Sequence, residues 1–216
     1  MSMSELLLFT VVLLIISIIL HEIAHGYAAY ALGDPTAKNA GRLTLNPLPH
    51  IDIVGSVLIP AFLVLTSAGF LFGWAKPVPY NPLNLKNQRF GEGLVSIAGP
   101  AMNIGIAIIF SLVIRFGSGL PETFISLAAL VVLINLFLGL FNLIPIPPLD
   151  GYTVLRSILP YRFAVSFRNF ERKVQSLGIL SLFLFIFVFI SILSNPFFAL
   201  VQQIFTLFTG TSLGSF

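Results

Sequence analysis

The sequence predicts an all-α protein that crosses a membrane several times, and three observations carry that prediction. Of 216 residues, 57% are hydrophobic and only 9% are charged, against about 25% charged in a soluble domain. So few charges cannot cover a water-facing surface. The same numbers exclude a disordered chain, which would be polar and charged. The apolar residues are also gathered into long runs, at 6–32, 51–74, 94–116, 124–144, 177–193 and 196–208. Finally, ten of the eleven Lys and Arg residues sit between those runs, and the other, Arg115, stands next to the end of run 94–116. There is no internal repeat and no soluble appendage, so residues 1–216 read as one membrane domain.

A spanning helix needs about 20 residues. Runs 6–32, 94–116 and 124–144 meet this length. Run 177–193 is marginal, and 196–208 is short enough to read as re-entrant or interfacial. Run 51–74 is long enough but is interrupted by Gly55, Pro60, Gly69 and Gly73. The first run does not read as a secretory signal, because its flank carries Glu5 and no Lys or Arg. It is expected to be a retained helix.

Basic residues set orientation, because cytoplasmic loops are enriched in them. Lys38 and Arg42 lie in loop 33–50, and Lys76, Lys86 and Arg89 in loop 75–93. Arg156, Arg162, Arg168, Arg172 and Lys173 lie in 151–176, while loop 117–123 has none. If 51–74 crossed fully, basic loops would face both sides. If it dips in and returns, all three face the cytoplasm. A re-entrant segment at 51–74 is therefore expected, with the N-terminus outside. The net charge of +3 points to loop placement at a membrane and not to nucleic acid.

Two smaller elements follow. Pro77 and Pro79 flank Val78 in Lys76–Tyr80. Prolines two apart lack donors along one strand edge, which suggests a short cytosolic edge strand. Phe163, Phe167, Phe170 and Val174 follow helical spacing, with Arg162, Asn169, Arg172 and Lys173 among the remaining positions. This is the pattern of an amphipathic helix on the membrane surface.

The chemistry-bearing residues begin at His21-Glu22-Ile23-Ala24-His25. Helix positions four apart differ by about 40° in direction and 6 Å in height, so both imidazoles reach one point. Neutral imidazole ligates zinc well, and Glu22 beside it can reach a water held there. For this composition a chance HExxH has odds of roughly one or two in a thousand. Ionisable groups in an apolar span are also costly and need partners.

Zinc takes three protein ligands and leaves a fourth position for water. There is no cysteine, which excludes thiolate ligands, disulfides and cysteine nucleophiles. Asp150 is the favoured third ligand. It follows Pro145, Pro147 and Pro148, which break a helix near the membrane. His50 and Asp52, at the mouth of 51–74, are the rival ligands. Asn142 is read as a donor to a developing oxyanion. Asn103 is read as hydrogen-bonding glue between helices, and Asn135 as packing.

These residues together resemble the site-2 protease family of intramembrane zinc metalloproteases. His21-Glu22-Ile23-Ala24-His25-Gly26 resembles the family's HExxHG. Gly99-Pro100 followed by Asn103 resembles its GPxxN, and Asn142, Pro145 and Leu149-Asp150-Gly151 resemble its Asn-Pro-Leu-Asp-Gly element. The elements stand in the family's order over residues 21–151. The resemblance implies a three-helix catalytic core within about 6–151, with further membrane segments in 152–216. It implies one zinc on His21, His25 and Asp150, Glu22 as general base, and Asn142 assisting at the scissile carbonyl. The implied substrates are transmembrane protein segments, cut near the cytosolic face with membrane lipid around them. Asn46-Pro47 with His50-Ile51-Asp52 resembles a small prokaryotic branch of the family. A substrate stretch, once unwound, is expected to pair with the edge strand near 76–81. The rival readings are a non-proteolytic binder of transmembrane segments, a metal transporter, and a peptidase of short cytosolic peptides.

Overall fold

The computed structural model describes residues 2–65, 73–117 and 119–215. Among them every regular element is helical. They fall into two compact units, Met1–Gly91 and Glu92–Phe216.

The first unit opens with helix α1, Met3–Ala31. Ser2 and Glu5 form a reciprocal capping box: Ser2 Oγ accepts the Glu5 N–H at 3.2 Å, and Glu5 Oε2 accepts the Ser2 N–H at 2.7 Å. This satisfies two donors that a helix start leaves open. The first four turns of α1 expose Leu7, Leu8, Val12 and Ile16, whereas Ser17, Ile19, His21, Ile23, Gly26 and Ala29 are buried. The helix ends where Gly33 adopts φ +104, a conformation that a side chain would strain.

Just beyond lies Asp34, fully buried. Its carboxylate accepts the Asn81 N–H at 2.6 Å, the Asn84 side-chain N–H at 2.8 Å, and both the N–H and hydroxyl of Thr36. It thereby joins the end of α1 and the short helix α2 (Thr36–Asn39) to the turn at Pro82–Asn84. Burial pushes this carboxyl up, but the four hydrogen bonds outweigh it and hold it below the ordinary carboxylate range. A carboxyl with a depressed folded-state pKa stabilises the fold above its unfolded value, and the contribution fades as pH falls through the folded value. Asp34→Ala should therefore lower the Tm at pH 7. The Tm gap from wild type should narrow below about pH 4, as read by thermal unfolding in detergent across pH 7 to 3.

After a 3-10 turn at Leu48–His50, a π-helical turn over Ile53–Leu58 runs into helix α3, Ile59–Leu65. The chain is described again from residue 73. There the Trp74 N–H meets Gly55 O at 3.1 Å, Ser56 Oγ donates to Trp74 O at 2.8 Å, and the Lys76 N–H meets His50 O at 2.9 Å. The Trp74 ring occupies the space a Cβ at Gly55 would need.

Two expectations are corrected here. The structure does not support a re-entrant segment at 51–74. Its described part is two joined helical pieces, and 66–72 lies outside the described residues. The cytosolic β element is absent too: no strand occurs among the described residues, and 73–81 is irregular. The physical reason is donor supply. Pro77 and Pro79 have no N–H, and the N–H groups of Lys76 and Val78 are already engaged within the unit. The segment therefore lacks the donors for a ladder at 76–79, and the expected pairing of substrate there loses them as well.

The second unit contains α4 (Gly91–Phe116, whose first residue closes the first unit), α5 (Glu122–Asn142), α6 (Asp150–Ile158), α7 (Tyr161–Ser176), α8 (Ile179–Val188) and α9 (Ser194–Thr209). Helices α4 and α5 meet through Asn103 and Asn135, both fully buried. The Asn103 amide donates to Asn135 Oδ1 at 2.9 Å, and the Asn135 amide donates to Val131 O at 3.0 Å. Glue is the role expected of Asn103, and Asn135 is its partner. Gly139 permits the close approach: a Cβ there would press Ile104 Cγ1 at 2.9 Å and Pro100 O at 3.2 Å. Small residues and side-chain hydrogen bonds matter at such contacts because lipid is as apolar as leucine. Ala107, Ala129, Val132 and Leu136 pack with Phe197, Val201 and Phe205 of α9 to form the core.

Among the described residues, four helices are long and apolar enough to cross a membrane: Met3–Ala31, Gly91–Phe116, Glu122–Asn142 and Phe183–Thr209. The last corrects the reading of 177–193 and 196–208 as separate segments. Pro196 should break a helix by removing an N–H and crowding the preceding turn. Instead a π-helical turn at Phe189–Leu193 joins α8 to α9, a local adjustment that accommodates such a defect.

Helices α6 and α7 are tied by charge and by an aromatic contact. Buried Arg156 pairs with Glu171 at 2.8 Å and with Glu92, and Arg168 reaches Glu92 at 3.5 Å. Tyr152 stacks on Phe167 and donates its hydroxyl to Phe167 O at 2.8 Å. Burial, then the charge of Glu171, pushes the Tyr152 phenol up against the opposing effect of Arg156. On α7, Phe163 and Phe170 remain exposed beside Arg162 and Lys173, consistent with the amphipathic reading.

Candidate metal centre

His21 and His25 occupy successive turns of α1, in its buried C-terminal half. Helical spacing brings the Nε2 atoms to 3.0 Å of each other, with the rings perpendicular and their centroids 4.6 Å apart. Two imidazole nitrogens at this distance share one proton or present two lone pairs to a common cation. Donor type and spacing suit a divalent metal that accepts nitrogen ligands.

Glu22 is half-buried, and its Oε2 accepts the backbone N–H of Val78 at 2.8 Å. Gly26 completes the motif. A Cβ there would overlap Leu43 Cδ2 and press Val78 Cγ1 at 3.1 Å and Ala37 at 3.3 Å. The glycine is what lets the 76–80 segment lie against α1. Sequence reading missed Val78. The available signal was its position between two prolines, as the one residue of the three with a donor.

The rival ligands have other partners. Buried His50 donates from Nε2 to Thr44 O at 3.0 Å, because a carbonyl only accepts. Its Nδ1 has no hydrogen-bond partner among the described residues. Asp52 caps the π-helical turn, accepting the Gly55 N–H at 2.7 Å. Both side chains thus serve the local backbone.

In the second unit Asp150 is the first residue of α6 and is half-buried. Extended Leu149 precedes it, and Gly151 follows, its Cα against the backbone of Leu143 and Ile144. Asn142 ends α5, and its amide donates to Leu138 O at 2.9 Å. An amide has two N–H groups, so this bond leaves the other available.

Residues 119–189 match the profile of peptidase family M50. Over 168 residues the chain is 44% identical to YwhC of Bacillus subtilis, which is provisionally named a zinc metalloprotease. The match covers 72% of this chain and 71% of that protein. The chain belongs to peptidase family M50. A second relative of this M50 protease is Rip2 of Mycolicibacterium smegmatis, likewise provisionally named a zinc metalloprotease. It is 32% identical over 143 residues, which is 65% of this chain and 53% of that one. The zinc metalloprotease MJ0392 of Methanocaldococcus jannaschii is 28% identical over 156 residues, 70% of this chain but 34% of that one. No solved structure matches the M50 chain. The family and the four apolar helices make the protein a multi-pass membrane metalloprotease. The site-2 protease resemblance read from the motifs is this family. The readings as a transporter or a non-proteolytic binder give way to it.

Proposed function

We propose that the M50 protease holds one zinc ion on His21, His25 and Asp150, and that it cuts peptide bonds within transmembrane segments near the cytosolic face, as a step of regulated intramembrane proteolysis. The observation that carries this reading is the facing pair of imidazole nitrogens, 3.0 Å apart on an apolar helix. Two Zn–N bonds of about 2.0–2.1 Å at a tetrahedral angle place their nitrogens roughly 3.3–3.4 Å apart. The pair therefore needs to open by only a few tenths of an ångström. Asp150 supplies the carboxylate of a His-His-carboxylate set, which suits a hydrolytic zinc with one open position.

Bound zinc would lower the pKa of a coordinated water to about 7 and polarise the scissile carbonyl. The protein's own groups do the rest. Glu22 takes the water's proton and later returns it to the leaving amine. The second N–H of Asn142 steadies the oxygen on which charge develops. A transmembrane substrate has its backbone sealed in helical hydrogen bonds, so it must unwind locally before cleavage, most cheaply near Gly or Pro. Membrane protein segments in their lipid are accordingly the substrates that this reading assigns.

Metal analysis of detergent-purified protein tests the centre. Wild type should carry about one zinc per chain, and His21→Ala and Asp150→Ala should each lose most of it. Unchanged occupancy in Asp150→Ala would transfer the third ligand to another residue.

A further inference from the structure

We infer that Val78 is a positioning residue for the protease reaction, its backbone N–H fixing the Glu22 carboxylate on a face of α1 that Gly26 keeps open. The inference rests on Glu22 being the general base of the proposed mechanism. Glu22 and Gly26 are four apart, so they share one face of α1 at successive turns. Val78 lies on that face and is 6% exposed. Its N–H reaches Glu22 Oε2 at 2.8 Å, and its side chain fills the space over Gly26.

The segment is braced from both sides. Pro77 and Pro79 fix their own φ angles. Buried Arg42 donates to Lys76 O at 2.6 Å, and the Lys76 N–H meets His50 O at 2.9 Å. A buried amide without a partner is unfavourable, so the contact holds Val78 and Glu22 alike. Glutamate has three side-chain torsions, and an unheld carboxylate loses orientation over them. A donor that belongs to the backbone neither titrates nor changes rotamer. With Oε2 held, the second carboxylate oxygen has a fixed direction in which to meet the attacking water.

Hydrogen exchange on zinc-loaded protein isolates the contact, because neither flanking proline has an amide hydrogen. Glu22→Ala should speed exchange of the Val78 amide at least about tenfold, with Lys76 unchanged. No acceleration would overturn the inference. Two further proteins test its role in catalysis: Gly26→Ala, and a chain in which the Val78 N–H is replaced by an ester oxygen. Each should lower kcat by about 10- to 100-fold, with KM and zinc per chain near wild type. A kcat retained by both, or loss of zinc from both, would make the contact structural and overturn the inference. Wild-type cleavage by Glu22→Gln would instead refute the general-base reading, while the exchange result would still report the contact.

Discussion

Glu22→Gln should reduce cleavage of a transmembrane substrate by roughly 10²- to 10⁴-fold, the range for removing a general base. Zinc content should be unchanged. The amide preserves the shape of the side chain and keeps an oxygen that can accept the Val78 N–H. What it loses is the ability to take a proton. His21 and His25 stay on successive turns of α1, a placement that the helix sets and Glu22 does not. Side-by-side turnover and metal measurements on the reconstituted enzyme check the prediction. A variant that still cleaves at the wild-type rate would remove Glu22 from the chemistry. One that cleaves poorly because it has lost zinc would make Glu22 a support of the metal centre.

Gly151→Ala should weaken zinc binding by about 10- to 100-fold, the range for disturbing groups that orient a ligand. A Cβ at this position would overlap the Leu143 carbonyl and press Ile144 O at 2.9 Å. Both obstacles are backbone, so no side chain can simply swing aside. The first turn of α6, which carries Asp150, must move instead. Gly105→Ala is the contrast, because nothing lies within 4 Å of a Cβ there. It should bind zinc like wild type. Competition against a zinc chelator of known affinity separates the two variants. Equal affinities would mean that Gly151 does not govern the placement of Asp150.

The parts that sequence made legible are those set by local periodicity. An HExxH pattern on one helix dictates the facing imidazoles without further knowledge of the fold. Long apolar runs likewise announced the spans at α1, α4 and α5. Longer-range features were less readable. Asn103 was marked as glue, but its partner Asn135 stands 32 residues away. Val78 was passed over because its acceptor is 56 residues distant. The same prolines that suggested an edge strand instead leave one donor, and Glu22 takes it. Runs 177–193 and 196–208 read as separate segments, and Pro196 opens the second. The π-helical turn before it absorbs the defect, and no composition signal distinguishes that outcome from a break. Which residues surround Asp52 and His50 was also invisible. Only coordinates show that one caps a turn and the other bonds a carbonyl.

The Arg156 cluster has a practical consequence. Side-chain exposure is 10% for Arg156 but 53% for Arg168. Dissolved ions screen exposed charges strongly and buried pairs much less. High ionic strength should therefore loosen Arg168 from Glu92 while Arg156 keeps hold of both acids. Washing membranes with concentrated salt, a routine way to strip peripheral proteins before solubilisation, should leave the α6–α7 junction intact. Purification in concentrated salt is accordingly compatible with this half of the molecule.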